Sequence, residues 1–269
     1  MSIIVVSPSL VEMGTGCWHS SLRHSRIGWR TLTRDAEITA SSEADSWPAA
    51  ALANPMTYER WKPEAVPAWV QFDAGQAVEV DYLGIASHDL GSAGATFSIQ
   101  CSDDGAAWET AATVEPADDN AIMLLIEPVT ARYWRLNVTE AIGSIGVLYL
   151  GKVLETYRPV SPGHSPGNLS RRTEIMPNLS MGGQFLGRSI IRQGYATAYE
   201  WAHLPAQWYR DNFAPFVEAA RKYPFFIAWN PLRYPAEVLY AWTPAEDIQP
   251  ENMGVRDWMQ VGLKVEAIA

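Results

Sequence analysis

The chain has 269 residues and carries 20 basic and 30 acidic side chains, which gives a net charge of −10 at neutral pH. This length accommodates one to two domains with full hydrophobic cores, and the acidic balance argues against nucleic-acid binding through phosphate contacts. With Cys17 and Cys101 as its two cysteines, the chain has no disulfide framework and no four-thiolate metal site. No run of about 20 apolar residues is present, so we expect no membrane span.

The charge is distributed unevenly along the sequence. Residues 1–35 carry 4 basic and 2 acidic side chains, residues 36–150 carry 4 basic and 17 acidic ones, and residues 151–269 carry 12 and 11. The central part, at −13, therefore lies between two nearly neutral parts. A step of this size indicates an acidic module with a boundary near residues 150–170.

The boundary also has its own composition. Three prolines and two glycines fall within the ten residues Arg158–Gly167, which can continue neither a helix nor a central strand. We therefore predict two separable domains with a linker, and we expect the N-terminal segment to pack against the C-terminal domain. The predicted parts are the N-terminal segment 1–35, an acidic domain 36–156, a linker 157–170 and a C-terminal domain 171–269.

Short apolar segments with strand character fill the acidic domain. Three of them alternate or cluster apolar and β-branched residues, and three others are apolar throughout, as expected for fully buried strands. Turn sequences such as Asp103-Asp-Gly105 separate them. Many short strands with frequent turns predict an antiparallel β-sandwich, with Trp69, Phe72, Trp108 and Trp134 in its core. The predicted strands are 69–73, 96–100, 133–138, 82–86, 122–126 and 146–150.

Several aromatic and polar residues lie instead in loops. A large aromatic residue in a loop either covers the end of a sandwich or stacks on a sugar ring, and both interpretations remain open for Trp47, Tyr58 and Trp61. His88 and Asp89 follow the strand 82–86 and either brace a loop or bind a ligand. The candidate carbohydrate-binding residues are Trp47, Tyr58, Arg60, Trp61, His88 and Asp89.

The C-terminal domain has an α+β pattern. Residues 205–223 have apolar residues at helical spacing, but Pro215 cannot sit unperturbed inside a helix. We therefore expect a short helix, a break at 212–214, and a second helix that begins at Pro215. Residues 182–195 are glycine-broken β structure, typical of a hairpin or an arm, and three strands follow the helix. Those strands are 225–229, 237–242 and 258–268.

The sequence contains no motif of a known catalytic site. We find no nucleophile elbow, no phosphate-binding glycine loop and no zinc-protease helix. Cys17, His19 and His24 have the wrong spacing for a zinc site. The pairs Asp103-Asp104 and Asp118-Asp119 are candidate calcium ligands, but they fit plain turns equally well. We therefore predict a protein that is not an enzyme and that uses no cofactor and no metal.

Five segments of the acidic domain carry a resemblance to a known family. In their order and spacing they resemble the discoidin, or coagulation-factor C-type, domain, which is a galactose-binding-like jelly roll. This resemblance implies a mainly β fold for residues 36–155 and suggests a carbohydrate ligand. The five segments are Ala40-Ser-Ser42, Ala51 to Trp61, Trp69 to Gly75, Ile99 to Trp108 and Ala131 to Leu136.

Other segments resemble tail-tip proteins of long-tailed bacteriophages, in which a discoidin-like domain accompanies a ring-forming domain similar to the belt of the distal tail protein. They are Arg26 to Leu32, Tyr199 to Glu218, Pro224 to Pro231 and Asn252 to Arg256. The resemblance implies a structural protein of the virion, made in the host cytoplasm and located at the distal end of the tail.

Several partners follow from that resemblance. We expect a homo-oligomeric ring formed by the C-terminal domain, with Trp229 and Trp242 as assembly contacts, and other tail proteins such as the tube and the hub as neighbours. Host-surface polysaccharide is a candidate ligand of the projecting jelly roll. Two alternatives remain: a tail-associated glycan hydrolase or depolymerase, which needs a carboxylate pair in a cleft, and a free carbohydrate-binding lectin, which needs no ring contacts.

Overall fold

A computed structural model describes residues 21–254 and 257–268. The chain is mainly β and forms two antiparallel sheets, as predicted. Cys17, His19, Val255 and Arg256, which entered the sequence interpretation, lie outside the described residues. None of the helices in the described part is long and apolar enough to cross a membrane.

The first sheet is formed by the acidic domain. Its strands run in the order β2-β3-β6-β4-β5, and β7 pairs with β3. All six strand segments predicted in this domain lie within observed strands, because alternating or continuous apolar runs correspond to half-buried or fully buried strands. The strands are β2 (Glu37–Ala40), β3 (Ala68–His88), β4 (Thr96–Ser102), β5 (Glu109–Val114), β6 (Ile122–Thr139) and β7 (Ile145–Gly151).

Two long strands enclose the core of this domain. The pairing of β3 with β6 changes register between Asp73 and Val78 and again between Val80 and Tyr82, so each strand bends and contributes to both ends of the sandwich. Phe72 and Trp134 are fully buried in this core, as predicted. Trp69 and Trp108 were predicted there too, but they are half-buried on the outer face, where the Arg135 guanidinium lies 5.8 Å and 4.1 Å from their ring centroids.

The second sheet contains one strand near the N-terminus and seven strands from residues 154–268. Its order is β8-β1-β11-β12-β14-β10-β9, with β13 on β14. The segment β1 near the N-terminus joins this sheet by pairing with β11 and β8. The three strands predicted after the helix are confirmed. The strands are β1 (Arg26–Gly28), β8 (Leu154–Glu155), β9 (Arg171–Leu179), β10 (Phe185–Pro205), β11 (Phe225–Ala228), β12 (Val238–Trp242), β13 (Pro250–Asn252) and β14 (Trp258–Ile268).

The helical segment differs from the predicted pair of helices. Residues 206–220 form one continuous helical stretch, in which α2 (Ala206–Trp208) and α3 (Ala214–Ala220) are joined by a π-helical turn (Tyr209–Phe213). Pro215 lies at the start of α3, directly after the π-helical turn, whose wider backbone accommodates a residue that has a ring and no N–H donor. The wider turn before it takes the place of the predicted break. The remaining helices are α1 (Leu90–Ala93) and the 3₁₀ turns Ser21–Arg23, Ala49–Ala53 and Gly167–Leu169.

A third cluster of buried apolar residues joins the two sheets. The halves of β3 and β6 nearest to β7 carry apolar residues on both faces, and the face turned away from the sandwich core packs against β11 and β12. The two sheets therefore pack face to face and share this cluster, while the independent folding of the acidic domain stays a prediction. We call this cluster the shared core; it contains Leu22, Tyr82, Ala86, Met123, Leu125, Val147, Tyr149, Phe226, Ala228, Val238 and Tyr240.

The predicted linker also packs against the second sheet. The Ser161 amide donates to the carbonyl of Glu200 at 2.7 Å, and the Thr197 hydroxyl donates to the carbonyl of Ser165 at 2.6 Å. Gly167 is buried so close to Leu239 that an added Cβ would lie 2.6 Å from that side chain. The proline-rich segment is thus an ordered connection between β8 and β9, which lie at opposite edges of the second sheet.

A hairpin extends from the edge of the second sheet. We call residues 171–194, formed by β9 and the first half of β10, the arm. Every residue of β9 is exposed, and residues 175–187 are uncharged. The arm exposes a set of large apolar side chains, namely Ile175, Met176, Leu179, Met181, Phe185, Leu186, Ile190 and Ile191. The arm predicted from residues 182–195 is therefore present.

Phe226 tests whether the shared core holds the two sheets together. It is fully buried and packs on Tyr149 and Tyr240 with ring centroids 5.4 Å and 4.9 Å away. We expect Phe226→Ala to lower the free energy of unfolding by about 3–5 kcal/mol, measured by urea denaturation. The exposed Phe185 in the arm is the matched control, and Phe185→Ala should change the free energy of unfolding by less than about 0.5 kcal/mol. Separate unfolding transitions for the two sheets in the wild-type protein would contradict a shared core.

Candidate functional site

A surface cavity of ≈ 460 Å³ lies among the loops at one end of the acidic domain. Trp47, Tyr58 and Arg60, three of the predicted carbohydrate-binding residues, line it together. The structure therefore brings these three side chains to one open site. The other lining residues are Ser46, Pro48, Ala50, Ala51 and Glu59.

Trp47 forms one wall of this cavity. A tight turn presents it, with Ser46 at φ 68° and the Trp47 amide donating to the carbonyl of Ala44 at 3.0 Å. The Lys62 amide donates to the carbonyl of Trp47 at 3.3 Å, which ties the turn to the chain beyond Trp61. The side chain is 37% exposed, so part of the indole is available to a ligand.

Arg60 is held by a network of hydroxyl groups. Its guanidinium donates to the Ser144 hydroxyl at 3.3 Å and to the Ser87 hydroxyl at 3.0 Å. Ser87 in turn donates to the carbonyl of Thr57, at 2.7 Å, and Ser144 donates to the Asp89 carboxylate, at 2.9 Å. These bonds fix the position of the guanidinium before any ligand arrives, which reduces the entropy that binding would cost.

Tyr58 is the most exposed large hydrophobic residue of the cavity, at 74%. The neighbouring Glu59 carboxylate raises the pKa of the Tyr58 phenol above its ordinary value, because the phenolate would be repelled by this charge. Glu59 also accepts a hydrogen bond from the Asn54 side chain at 2.6 Å, and the Met56 amide donates to Asn54 at 2.8 Å. The loop 54–60 is therefore ordered by its own side chains.

Three of the predicted ligand-binding residues have structural roles instead. Trp61 is fully buried, and its indole N–H donates to the carbonyl of Ser42 at 3.2 Å. Its backbone forms a β-bridge with Ile145, so its ring is turned into the core and cannot stack on a ligand. His88 is 3% exposed, and Asp89 supports Arg60 through Ser144. Neither Trp61 nor His88 presents its ring to the cavity in this structure, so this geometry does not support the predicted direct contact of these two residues with a sugar.

The hydrogen bonds of His88 determine its charge. Nε2 lies 2.7 Å from the carbonyl of Asn120, and the Leu90 amide donates to Nδ1 at 3.3 Å. These partners assign the neutral tautomer with the proton on Nε2, because Nδ1 must accept. Burial lowers the pKa of His88, since a charged ring would lose its solvation and meet the Leu90 N–H.

The remaining polar candidates are explained by local structure. The Asp104 carboxylate accepts bonds from the amides of Ala106 and Ala107 at 2.8 and 2.9 Å, and Asp119 accepts from the Ser92 amide at 2.9 Å. Both aspartates therefore organise turns. Within residues 21–254 and 257–268, no group of three or more His, Cys, Asp or Glu side chains is placed to hold a metal ion.

The two predicted assembly residues are both half-buried. The Trp229 ring packs on Tyr234 and His164, at centroid distances of 5.0 and 4.6 Å, and its N–H donates to Glu237. Trp242 borders a second cavity of ≈ 540 Å³ at the base of the arm. Their role in assembly stays a prediction.

Sequence reasoning missed Glu59, Ser87 and Ser144. Glu59 stands next to two residues that were selected, so its position alone could have included it. Ser87 and Ser144 are 57 residues apart in sequence and reach Arg60 from the end of β3 and from the loop before β7. No local pattern marks residues that meet only through the fold.

Comparison with known proteins identifies the acidic domain. A model of the F5/8 type C domain matches residues 37–148, which span from β2 into β7. This match confirms the discoidin-like interpretation for that part of the chain. No curated protein sequence matches the chain.

Solved structures of carbohydrate-binding modules are also similar to a part of the chain. A pectin-binding module is 24% identical, with 43% of this chain and 89% of that chain covered and a TM-score of 0.39. A Clostridium perfringens CBM32 module in complex with GalNAc-β-1,3-galactose is 15% identical, covers 46% and 100%, and has a TM-score of 0.41. Chitosan-binding module 1 of a Paenibacillus sp. IK-5 chitosanase/glucanase is 20% identical, covers 46% and 99%, and has a TM-score of 0.40.

The buried His88 predicts a pH dependence of stability. Because its pKa is lower in the folded chain than the ordinary value of 6.5, the unfolded chain binds the proton more readily. The contribution of neutral His88 is thus complete above pH 6.5 and decreases as the pH falls below it. We expect the unfolding free energy to drop between about pH 7.5 and about pH 5.5 by more in the wild type than in His88→Gln, measured by denaturation at each pH. Equal drops would contradict this prediction.

Proposed function

We propose that the acidic domain is a non-catalytic carbohydrate-binding module and that the cavity of Trp47, Tyr58, Glu59 and Arg60 is its site. The observation that carries this proposal is the convergence of two exposed aromatic rings and a fixed guanidinium on one open cavity. A sugar presents an apolar ring face and several hydroxyl groups. The indole and phenol rings stack on the former, while Arg60 and Glu59 bond to the latter.

The chemistry of the cavity favours binding over hydrolysis. A glycosidase needs two carboxyl groups in a cleft, one with a raised pKa so that it can donate a proton. The cavity is lined by one carboxylate, Glu59. The Asp81 carboxyl has a raised pKa because it is buried, but it is bound by the Val153 amide at 2.7 Å and does not line the cavity. The hydrolase alternative therefore has no support in this site.

Removal of the Trp47 ring tests the carbohydrate proposal. We expect Trp47→Ala to weaken saccharide binding about fivefold, which corresponds to about 1 kcal/mol for one lost stacking contact. The measurement is calorimetric titration of the full chain with GalNAc-β-1,3-galactose, chitotriose and a galacturonate oligomer. Trp69→Ala is the matched control, because Trp69 is half-buried on the outer sheet face and should leave the affinity unchanged. Absence of binding by the wild-type protein to all three saccharides contradicts the proposal.

We also propose that the chain is a ring-forming subunit of a phage tail tip, located at the distal end of the virion, with tube and hub proteins as neighbours. The arm supports self-association. A two-stranded hairpin is marginally stable by itself in water, and this one exposes eight large apolar side chains. Its edge strand β9 also presents unpaired backbone groups, which a protein partner can satisfy through strand pairing.

The charge distribution is consistent with contacts between copies through the second sheet. The arm carries Arg171, Arg172, Arg188 and Arg192 against Glu174, whereas the acidic domain carries −13. Copies of the acidic domain repel one another, so they are best placed at the outside of an assembly. The free-lectin alternative needs no such assembly and predicts a monomer.

The tip of the arm tests the assembly. We expect Phe185→Asp with Leu186→Asp to convert an oligomer of the wild-type protein into a monomer, because charge at the arm tip cannot be buried unpaired. Sedimentation velocity measures the mass, and Tyr58→Asp, at a similarly exposed aromatic residue outside the arm, should leave it unchanged. A monomeric wild-type protein at all concentrations contradicts the ring. Electron microscopy and mass spectrometry of purified tailed particles test the location.

A further inference from the structure

The loop that carries Tyr58 and Arg60 is bound from both sheets. From the first sheet, the Ser87 hydroxyl donates to the carbonyl of Thr57 at 2.7 Å. From the second sheet, the Tyr240 hydroxyl donates to the carbonyl of Pro55 at 2.7 Å. The two tethers are two residues apart, and both precede the residues that face the cavity. The position of the loop therefore depends on a residue that lies outside the F5/8 type C match.

Tyr240 is rigidly held. It lies in β12, is 1% exposed, and belongs to the shared core, where its ring packs against Phe226 and Tyr149 with centroids 4.9 and 6.2 Å away. A tyrosine fixed in this way places its hydroxyl at one point. Burial, and after it the neighbouring Tyr149, raise the pKa of Tyr240, whose hydroxyl donates to the Pro55 carbonyl. The Pro55 carbonyl therefore accepts a hydrogen bond from a hydroxyl group that is fixed outside the loop.

We propose that Tyr240 is a positioning residue for the carbohydrate site and that the second sheet thereby sets the affinity of the acidic domain for its saccharide. This inference rests on the proposed function of the cavity. The hydroxyl does not touch the cavity; it fixes Pro55, three residues before Tyr58 and five before Arg60. Without it, the loop samples positions in which the phenol ring and the guanidinium no longer converge, and the bound arrangement must be ordered by the ligand.

The strand β12 also connects the carbohydrate loop with the base of the arm. Two residues after Tyr240, the same strand reaches Trp242, which borders the cavity at the base of the arm together with Arg172 and Tyr195. In β12, Tyr240 therefore bonds to the carbohydrate loop, and Trp242, the next residue on the same face of the strand, lies at the base of the arm. By reciprocity, a saccharide that stabilises the loop also stabilises the position of β12.

Tyr240→Phe provides the test, because it removes the hydroxyl and keeps the packed ring. We expect about twofold to about tenfold weaker binding of the saccharide that binds the wild-type chain, the range for one lost hydrogen bond. Hydrogen exchange of the amides of Met56, Thr57 and Tyr58 should accelerate by a similar factor. The matched control is Tyr82→Phe. Tyr82 is also fully buried in the shared core, and its hydroxyl donates to a carbonyl, that of Arg30, away from the loop.

The two measurements separate the possible failures. Weaker binding and faster loop exchange in Tyr240→Phe, with both unchanged in Tyr82→Phe, support the proposal. Unchanged loop exchange in Tyr240→Phe overturns it, and so do equal effects of the two variants, which indicate a general loosening of the shared core. If the wild-type chain binds no saccharide, the proposed function fails, and the exchange rates alone decide whether Tyr240 positions the loop.

Discussion

The burial of one sheet face against the other is the constraint on which the rest of this structure depends. The acidic domain has its own sandwich core around Phe72 and Trp134, and the second sheet has a core with the helix packed on it. Between them, the shared core contains three tyrosines, and the hydroxyl group of each donates to a backbone carbonyl. Apolar burial supplies the stabilisation, and these hydrogen bonds fix how the sheets are oriented, because a buried hydroxyl without a partner is costly.

The packed sheets also hold the candidate site in position, because residues of both sheets bond to its loop. Its lining residues come from the turn at Trp47, the following 3₁₀ turn and the loop 54–60, and Ser87 and Ser144 hold Arg60 from the end of β3 and the loop before β7. Arg60 is the point at which they meet. The affinity of such a site is determined less by the number of contacts with a sugar than by how little the protein must reorganise to make them.

Much of the fold was predictable from the sequence because strands have a local signature. Apolar residues at every second position, Val261, Leu263 and Val265, are typical of a half-buried strand such as β14. The continuous apolar runs 82–86, 122–126 and 146–150 are typical of fully buried strands. A strand that is apolar on both faces needs cover on both faces. The sequence does not show which element covers the second face. In the structure this element is the second sheet, although the charge step and the proline-rich segment had predicted a separate domain.

The site was only partly predictable, for a similar reason. Trp47, Tyr58 and Trp61 have equivalent local sequence contexts, but the β-bridge of Trp61 with Ile145 turns one of the three rings inward. Trp69 and Trp108 lie on the outer face, where Arg135 packs against both rings. Such outcomes depend on pairs that are distant in sequence. Local pattern identifies which residues are aromatic and in loops, whereas the fold decides which faces of their rings are free.

Gly84 shows how closely the shared core fits the two sheets together. An added Cβ there would lie 2.6 Å from the Phe226 ring, so this ring fills the space that a side chain at position 84 would need. Any residue other than glycine at this position would collide with Phe226 unless the two sheets moved apart. The acidic domain therefore fits the second sheet only through a matched pair of positions, and a larger residue at one of them requires a smaller residue at the other.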